Sequence, residues 1–340
     1  MSKTSVATGT PLAKKVYVEK LFRDVVKNSF FSRFMSEKPD NMVYVKTDLE
    51  KGKGETLTFP LRMRATGDGV SGNQVLEGFE ESLSFYDYSL TLNKYRHGIR
   101  DDGELTRQRT AFDMDVESEQ AIKDWGEEKI DKLCFDAILA NPSKVFYRDS
   151  SGNSTAGSAA TAKAALHATN SKLSLNFISF IKTWAKTGGN RQYIPLRPIR
   201  VEGKDTFILL VHSDVLYDLR TDSSFQQAMR DAQVRGDSNP LFADATAVWD
   251  NVIIYEHENC TIATDGGGST VPWAKCVLLG AQALCWAWGR RPKLIKKTFD
   301  YENEKGIAWD VVCAAGKPQF NSIDYGSLGV YLSRTNVSGV

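Results

Sequence analysis

The sequence predicts an α+β fold on three observations. Apolar residues alternate with a period of two before residue 100, helical spacing takes over for one long stretch at 104–140, and strand-like runs return after residue 200. A chain of 340 residues that is 41% hydrophobic can hold about two domains with sizeable cores. The formal net charge of +1 argues against a general polyanion binder. The opening "MSKTSVATGT" is polar with no apolar run of secretory length behind it, so no leader is expected. No stretch is long and apolar enough to span a bilayer, so no membrane partner is expected either. The five cysteines, Cys134, Cys260, Cys276, Cys285 and Cys313, form no C-x-x-C pair. They read as reduced, mostly buried thiols of a chain made in a cytoplasm.

The elements follow in order. Residues 1–40 read as an extended arm with one short helix, suggested by Val16, Leu21, Val25 and Val26. Residues 1–30 of this arm hold six lysines and arginines against two acids, and a basic terminal arm tends to touch a neighbour or a polyanion. Residues 41–100 read as β, with Val43 and Val45, then Leu57, Phe59 and Leu61, then Tyr86, Tyr88, Leu90 and Leu92 in alternation. Pro60 cannot donate to a ladder, which suits an edge strand. The whole is a long two-stranded excursion with a loose tip. Over 104–140, Ile122, Trp125, Ile130, Leu133 and Ala137 give a helix that stops before Asn141-Pro142. Residues 101–136 carry 12 acids and 5 bases.

Residues 148–165 are small and polar and are expected as a surface loop. A helix at 174–187, closed by Gly188-Gly189, precedes a buried strand, "TFILLVHS", at 206–213. Two short helices follow, the second capped by Asp222. "NVIIYEHE" and "AKCVLLG" read as strands, "AQALCWAWG" as a buried helix, and 293–333 as a β-meander. No internal repeat is present.

Chemical motifs fare poorly. Gly67, Gly69 and Gly72 spell G-x-G-x-x-G, but strand periodicity rather than a helix follows, so a nucleotide site is not expected. Glycines there better suit a hairpin tip that needs positive φ. "DGGGS" at 265–269 reads the same way. His212, Ser213 and Asp214 are consecutive and cannot converge on one reacting atom. His257 and Cys260 give two metal ligands without a partner pair. Arg235-Gly-Asp237 reads as a turn. The expectation is a protein that is not an enzyme, with no cofactor and no metal.

An isolated two-stranded hairpin is marginal in water. One bearing Phe59, Leu61, Tyr86 and Leu90 would expose apolar surface unless a second subunit covers it. Repeated arm-over-neighbour contacts are heterologous and build rings or closed shells. The segments "KGKGETLTFPLRMRATGDGVSGNQVLEG" at 51–78, "FILLVHSDVLYDLRTDSSFQQAMRDAQVRGDSNPLF" at 207–242, and "LGAQALCWAWG" with "KTFDYENEKGIAWDVV" within 279–312 resemble tailed-phage major capsid proteins of the coliphage N-four branch.

That resemblance implies the Hong Kong 97 (Johnson) fold. It implies an N-terminal arm at 1–40, an extended loop (E-loop) at 41–100, and a peripheral domain with a spine helix at 101–200. An axial domain at 201–290 and return strands at 291–340 complete it. The implied function is self-assembly of pentamers and hexamers into an icosahedral shell around double-stranded DNA, found in the virion and assembled in the host cytoplasm. Scaffold, portal and decoration proteins are the further partners implied, and the DNA would be bound without sequence specificity. Expected intersubunit contacts are Phe59, Leu61, Arg62, Arg64, Gly67, Gly69, Gly72 and Glu77 on the E-loop, and Lys14, Lys15 and Lys20 on the arm. Lys51 and Lys53 read as solvated charges rather than cross-linking groups. The alternatives are an encapsulin-type nanocompartment and a soluble nucleotide-dependent enzyme.

Overall fold

A computed structural model describes residues 29–47, 54–62, 69–109, 113–191, 195–201, 203–233, 247–268 and 270–336. The helix expected near 16–26 and the arm lysines lie outside the described residues. From Ser29 onward the chain is packed into the body rather than extended as an arm. A 3₁₀ turn, Phe30–Phe34, buries Phe30 and Phe31 against Phe135. Asp131 accepts from the Phe30 amide at 3.0 Å and from the Ser29 hydroxyl.

Short strands β1 (Met35–Ser36) and β2 (Val43–Lys46) come next. A hairpin of β3 (Thr56–Arg62) and β4 (Phe85–Thr91) follows, and then β5 (Asn93–Arg100). After α1 (Glu104–Arg109), the long helix α2 (Met114–Leu139) starts at Asp113, whose side chain accepts from the Asp115 amide. Asp115 and Glu117 sit in the first turn, where the helix dipole favours acids. Ile122, Gly126, Ile130, Cys134 and Ile138 recur every four residues and form its buried row, and Trp125, Leu133 and Ala137 pack at its margin. A Cβ on Gly126 would sit 3.0 Å from the Trp309 indole, so glycine lets the helix lie close on the sheet.

The expected loop at 148–165 is instead mostly regular. β6 (Val145–Arg148) pairs with β7 (Ser154–Gly157), and Ser158 caps α3 (Ala159–Ala165) by accepting from the Thr161 amide. Its small residues are packing rather than linker: Ala162 is fully buried among Tyr147, Leu166 and Trp273. The next helix, α4 (Leu175–Arg191), runs past the expected stop: Gly188 and Gly189 adopt φ of +60° but lie inside it rather than closing it. β8 (Ile199–Val201), β9 (Lys204–Val211), α5 (Ser213–Thr221) and α6 (Ser223–Gln233) follow. Asp222 accepts from the Ser224 amide at 3.2 Å, as a cap should. β10 (Ala247–Trp249), β11 (Val252–Glu256), β12 (Ile262–Gly266) and β13 (Val271–Leu279) continue the chain.

"AQALCWAWG" is not a helix. It opens the long strand β14 (Leu284–Phe299), which pairs with β2 in parallel and with β15 (Glu304–Gly316) antiparallel. Trp286 and Trp288 face α2, while Cys285 and Ala287 face the hairpin, so both faces are buried and the period of two disappears. β16 (Gln319–Phe320), β17 (Ile323–Asp324) and β18 (Ser327–Ser333) follow.

Two main sheets result. One has the order β1-β2-β14-β15-β5 and carries α2 on one face. The other runs β10-β11-β9-β13-β18-β6-β7, with β12 on β13 and β8 on β9, and shares a second core with α4, α5 and α6. The expected meander is therefore divided: β14 and β15 belong to the first sheet and β18 to the second. The two sheets also group residues differently from the sequence segments, since β6 and β7 join the second sheet and residues 284–290 the first.

Where the sheets meet, Lys317 closes the C-terminal end of α2. Its ammonium donates to the Ala140 carbonyl at 2.6 Å and to Asp324 at 3.0 Å. Asp324 also accepts from the Ser143 amide at 2.8 Å and from Gln319 at 2.7 Å. Burial holds the Lys317 ammonium below its ordinary pKa, against the opposing pull of Asp324.

Candidate intersubunit arm

The hairpin is in register from Thr56↔Thr91 to Arg62↔Phe85 and forms a two-stranded sheet of its own. Pro60 lies opposite Asp87 in it, at home where no third strand needs its missing N–H. The two ends of the hairpin differ in kind. At the base, Phe59 and Leu90 are buried against Cys285, Ala287 and Ala314 of the same subunit. Tyr44 stacks edge-on to Phe59 at 5.9 Å. Burial, with a smaller contribution from Cys285, pushes the Tyr88 phenol up to about 12. A groove of about 330 Å³ lies beside this base, lined by Tyr44, Phe59, Leu61, Phe320 and Tyr325 among others.

Toward the tip the side chains lose cover. Every residue from Ser71 to Asp87 is exposed. Val75, Leu76, Phe79, Leu83 and Phe85 are all more than half exposed, with Phe79 at 73%. Gly69, Gly72 and Gly78 adopt φ of +67°, +67° and +92° with open space around them, so they supply turns rather than close packing. The glycine run leads into β4 and presents no helix N-terminus to a phosphate. Five large apolar side chains in one exposed segment form a surface that water solvates poorly and a partner would cover.

The expected contact residues divide accordingly. Phe59 belongs to the core of its own subunit, and Leu61 is half-buried beside it. Arg62, Gly69, Gly72 and Glu77 are exposed on the distal hairpin. Arg64, Gly67, Lys14, Lys15 and Lys20, together with Lys51 and Lys53, lie outside the described residues. Sequence reasoning missed Val75, Leu76, Phe79, Leu83 and Phe85. The available signal was an apolar cluster inside a stretch with neither strand nor helix period.

The remaining motifs have structural roles. His212 accepts from the Asp214 amide at 3.2 Å and caps α5, while Asp214 pairs with Arg334. His257 accepts from the Asn259 amide and packs on Phe135 at 4.3 Å. Burial holds both imidazoles below their ordinary pKa. Asp265 pairs with Lys163 at 2.5 Å and accepts from Trp273. Arg235-Gly-Asp237 lies outside the described residues. Among the described residues, no group of three or more His, Cys, Asp or Glu side chains is placed to hold a metal ion, and no helix is long and apolar enough to cross a membrane.

Comparison with known proteins gives a consistent result. A family model described as phage capsid protein matches residues 5–331. The major capsid protein of Pseudomonas phage KPP25 is 25% identical over 97% of each chain. Among solved structures, the capsid of Ralstonia phage GP4 is similar with a TM-score of 0.77 and 26% identity, covering 99% of each chain. The capsid subunit of cyanophage Pam1 has the same TM-score at 21% identity, over 98% of this chain and 96% of that one. A mixed α+β body with a projecting hairpin, matched along nearly its whole length, is thus a capsid subunit, and the chain belongs to the phage capsid protein family.

Proposed function

We propose that the hairpin is the element through which copies of this chain join. As a major capsid protein of a tailed phage, the chain works by assembling in many copies rather than by reaction chemistry. The observation that carries the proposal is the exposed apolar segment from Val75 to Phe85, on a hairpin whose base is anchored in its own subunit. Contacts of this kind are heterologous and close into shells when their rotation closes. Each can be individually weak, because many act together.

The finer reading is a Hong Kong 97-type subunit. In it the hairpin is the E-loop, α2 the spine helix of a peripheral domain built on the five-stranded sheet, and the nine-stranded sheet the body of the axial domain. Pentamers and hexamers then enclose double-stranded DNA in an icosahedral shell, assembled in the host cytoplasm with scaffold and portal proteins. The basic arm, with Lys14, Lys15 and Lys20, meets acidic surface on a neighbour. Part of the α2 acidity is already used within the subunit, since Asp115 pairs with Lys305 and Glu119 with Lys296. The family match and the relatives above are phage capsids, which does not favour an encapsulin-type compartment.

The test replaces residues 69–84 by a short Gly-Ser turn. The variant subunit stays folded by circular dichroism, and negative-stain microscopy shows no shells. Normal shells from this variant would overturn the role of the hairpin.

A further inference from the structure

The helix α2 and the strand β15 advance together. Near the start of both, Asp115 pairs with Lys305 at 3.0 Å. Further on, the Trp309 indole nitrogen lies 3.0 Å from where a Cβ on Gly126 would sit, and Trp125 meets the same ring edge-on at 5.3 Å. At the far end Lys317 donates to the Ala140 carbonyl at 2.6 Å. The two elements therefore run in the same direction, face to face.

Their rises also match. The eight residues from Gly126 to Cys134 lengthen a helix by about 12 Å, and the four from Trp309 to Cys313 lengthen a strand by about 13 Å. Cys134 stays in the buried row of α2 that holds Gly126 and Ile130. Cys313 stays on the strand face that holds Trp309 and Val311. Cys134 is thus carried to the level of Cys313, and each points at the other's element. Both are fully buried in one core cluster, and both are free thiols.

The sizes at this level are unusual for the interface. At Gly126 a small residue meets a tryptophan, whereas at Cys134 a small residue meets another small one. The remaining members of the α2 row, Ile122, Ile130 and Ile138, are all larger. Two small side chains let helix and strand approach, and a disulfide needs Cα atoms roughly 4.4–6.8 Å apart.

We propose that Cys134 and Cys313 become joined by a disulfide after the shell leaves the reducing host cytoplasm, stapling α2 to β15. The pairing rests on the geometry of one subunit. Only its timing rests on the reading of the chain as a shell protein assembled in that compartment.

The chemistry accounts for the delay. Burial holds the Cys134 thiol well above its ordinary pKa, with Asp131 and Cys313 adding to the effect. Burial pushes Cys313 up to about 12 against the pull of Lys129. The thiolate is the nucleophile, so neither sulfur reacts fast at neutral pH. Hydrogen peroxide is small enough and strong enough to serve as oxidant. One thiolate attacks a peroxide oxygen, breaking the O–O bond to give a sulfenic acid and hydroxide. The second thiolate then displaces hydroxide from that sulfur. Two thiols and one peroxide become one disulfide and two waters. The link closes a loop of about 180 residues, so it stabilises chiefly by constraining the unfolded chain.

The experiment uses assembled shells of the full chain. In one arm, thiols are alkylated in denaturant at the moment of cell lysis. In the other, purified shells first stand in dilute hydrogen peroxide. The first arm should carry alkyl groups on all five cysteines. In the second, peptide mass spectrometry without reductant should find Cys134 and Cys313 in one species lighter by two hydrogens, with Cys260, Cys276 and Cys285 still free. Treated shells should melt about 5 °C or more above untreated ones. Cys313→Ala shells should melt alike before and after peroxide, and the wild-type comparison stands even where that variant fails to fold. Free Cys134 and Cys313 after peroxide, a link already complete at lysis, a bond between any other two cysteines, or a thermal gain that persists in Cys313→Ala overturns the inference. The same peptide map can be made on unassembled subunit, so failure of the hairpin to join copies would leave this result readable.

Discussion

Asp324 ties the stretch around Lys317 to the segment that follows α2, with Ser143 lying 181 residues away in sequence, and its removal should be felt in both. Asp324 and Lys317 are 4% and 6% exposed. Asp324→Ala deletes the carboxylate that accepts from Lys317, from the Ser143 amide and from Gln319. Lys317 keeps the Ala140 and Asn141 carbonyls but loses its counter-charge. Breaking one side of a buried pair costs about 3–5 kcal/mol, and an orphaned buried amide alone costs about 1–3 kcal/mol. These overlap, so the expected loss is about 4 kcal/mol. Lys317→Met with Asp324→Leu removes both charges and should cost at least about 2 kcal/mol less than Asp324→Ala alone, because no uncompensated charge remains. The assay is urea denaturation of unassembled subunit followed by circular dichroism, with amide exchange reporting the last turn of α2. A loss below about 1 kcal/mol for Asp324→Ala, or a double variant no better than the single, would refute the account.

Two other outcomes are expected. At Gly316 an added Cβ would overlap Tyr88 Oη and lie 2.6 Å from Leu90 Cδ1, so Gly316→Val should lift the hairpin base from β15. Burial pushes the Cys285 thiol up to about 12, so it should be silent to a thiol reagent at neutral pH in the wild type and react in Gly316→Val; an unreactive Cys285 in the variant would count against the packing described. The His257 imidazole is held below its ordinary 6.5 mainly by burial, with Asp131 and Glu258 pulling it up and Arg33 pushing it down. Protons therefore favour the unfolded chain, and stability should fall as pH drops below 6.5 until the folded-state value is passed; His257→Phe should show a shallower fall, and parallel pH curves for the two would contradict this.

What could be read in the sequence was whatever kept its period. The helix α2 has one buried row and a solvated face, so Ile122, Trp125 and Ile130 announced it. The alternation through Leu57, Phe59, Tyr88 and Leu90 announced the hairpin. β14 was read as helix because its first residues are buried on both sides, by α2 and by the hairpin base, and burial on both faces erases alternation. Residues 148–165 looked like a loop because Ala162 and its neighbours are small, and small residues carry no signal of what packs against them. Phe59 and Phe79 look alike in sequence, yet one is 7% exposed and the other 73%. Which end of the hairpin meets its own body depends on the partners at Cys285 and Ala314, more than 200 residues away.

The order of the strands has a consequence for synthesis. In the first sheet, β14 and β15 fill the gap between β2 and β5, which are made more than 180 residues earlier. In the second, β18 lies between β13 and β6 and comes after every other described strand. The first sheet cannot close until β15 has emerged, nor the second until β18 has, so early strands wait with unpaired edges and folding is governed by late, long-range pairing. A product cut short before Ser327 lacks β18 and leaves β13 and β6 apart. Such a fragment cannot offer a finished subunit to a growing lattice, and completeness of translation becomes a condition for incorporation.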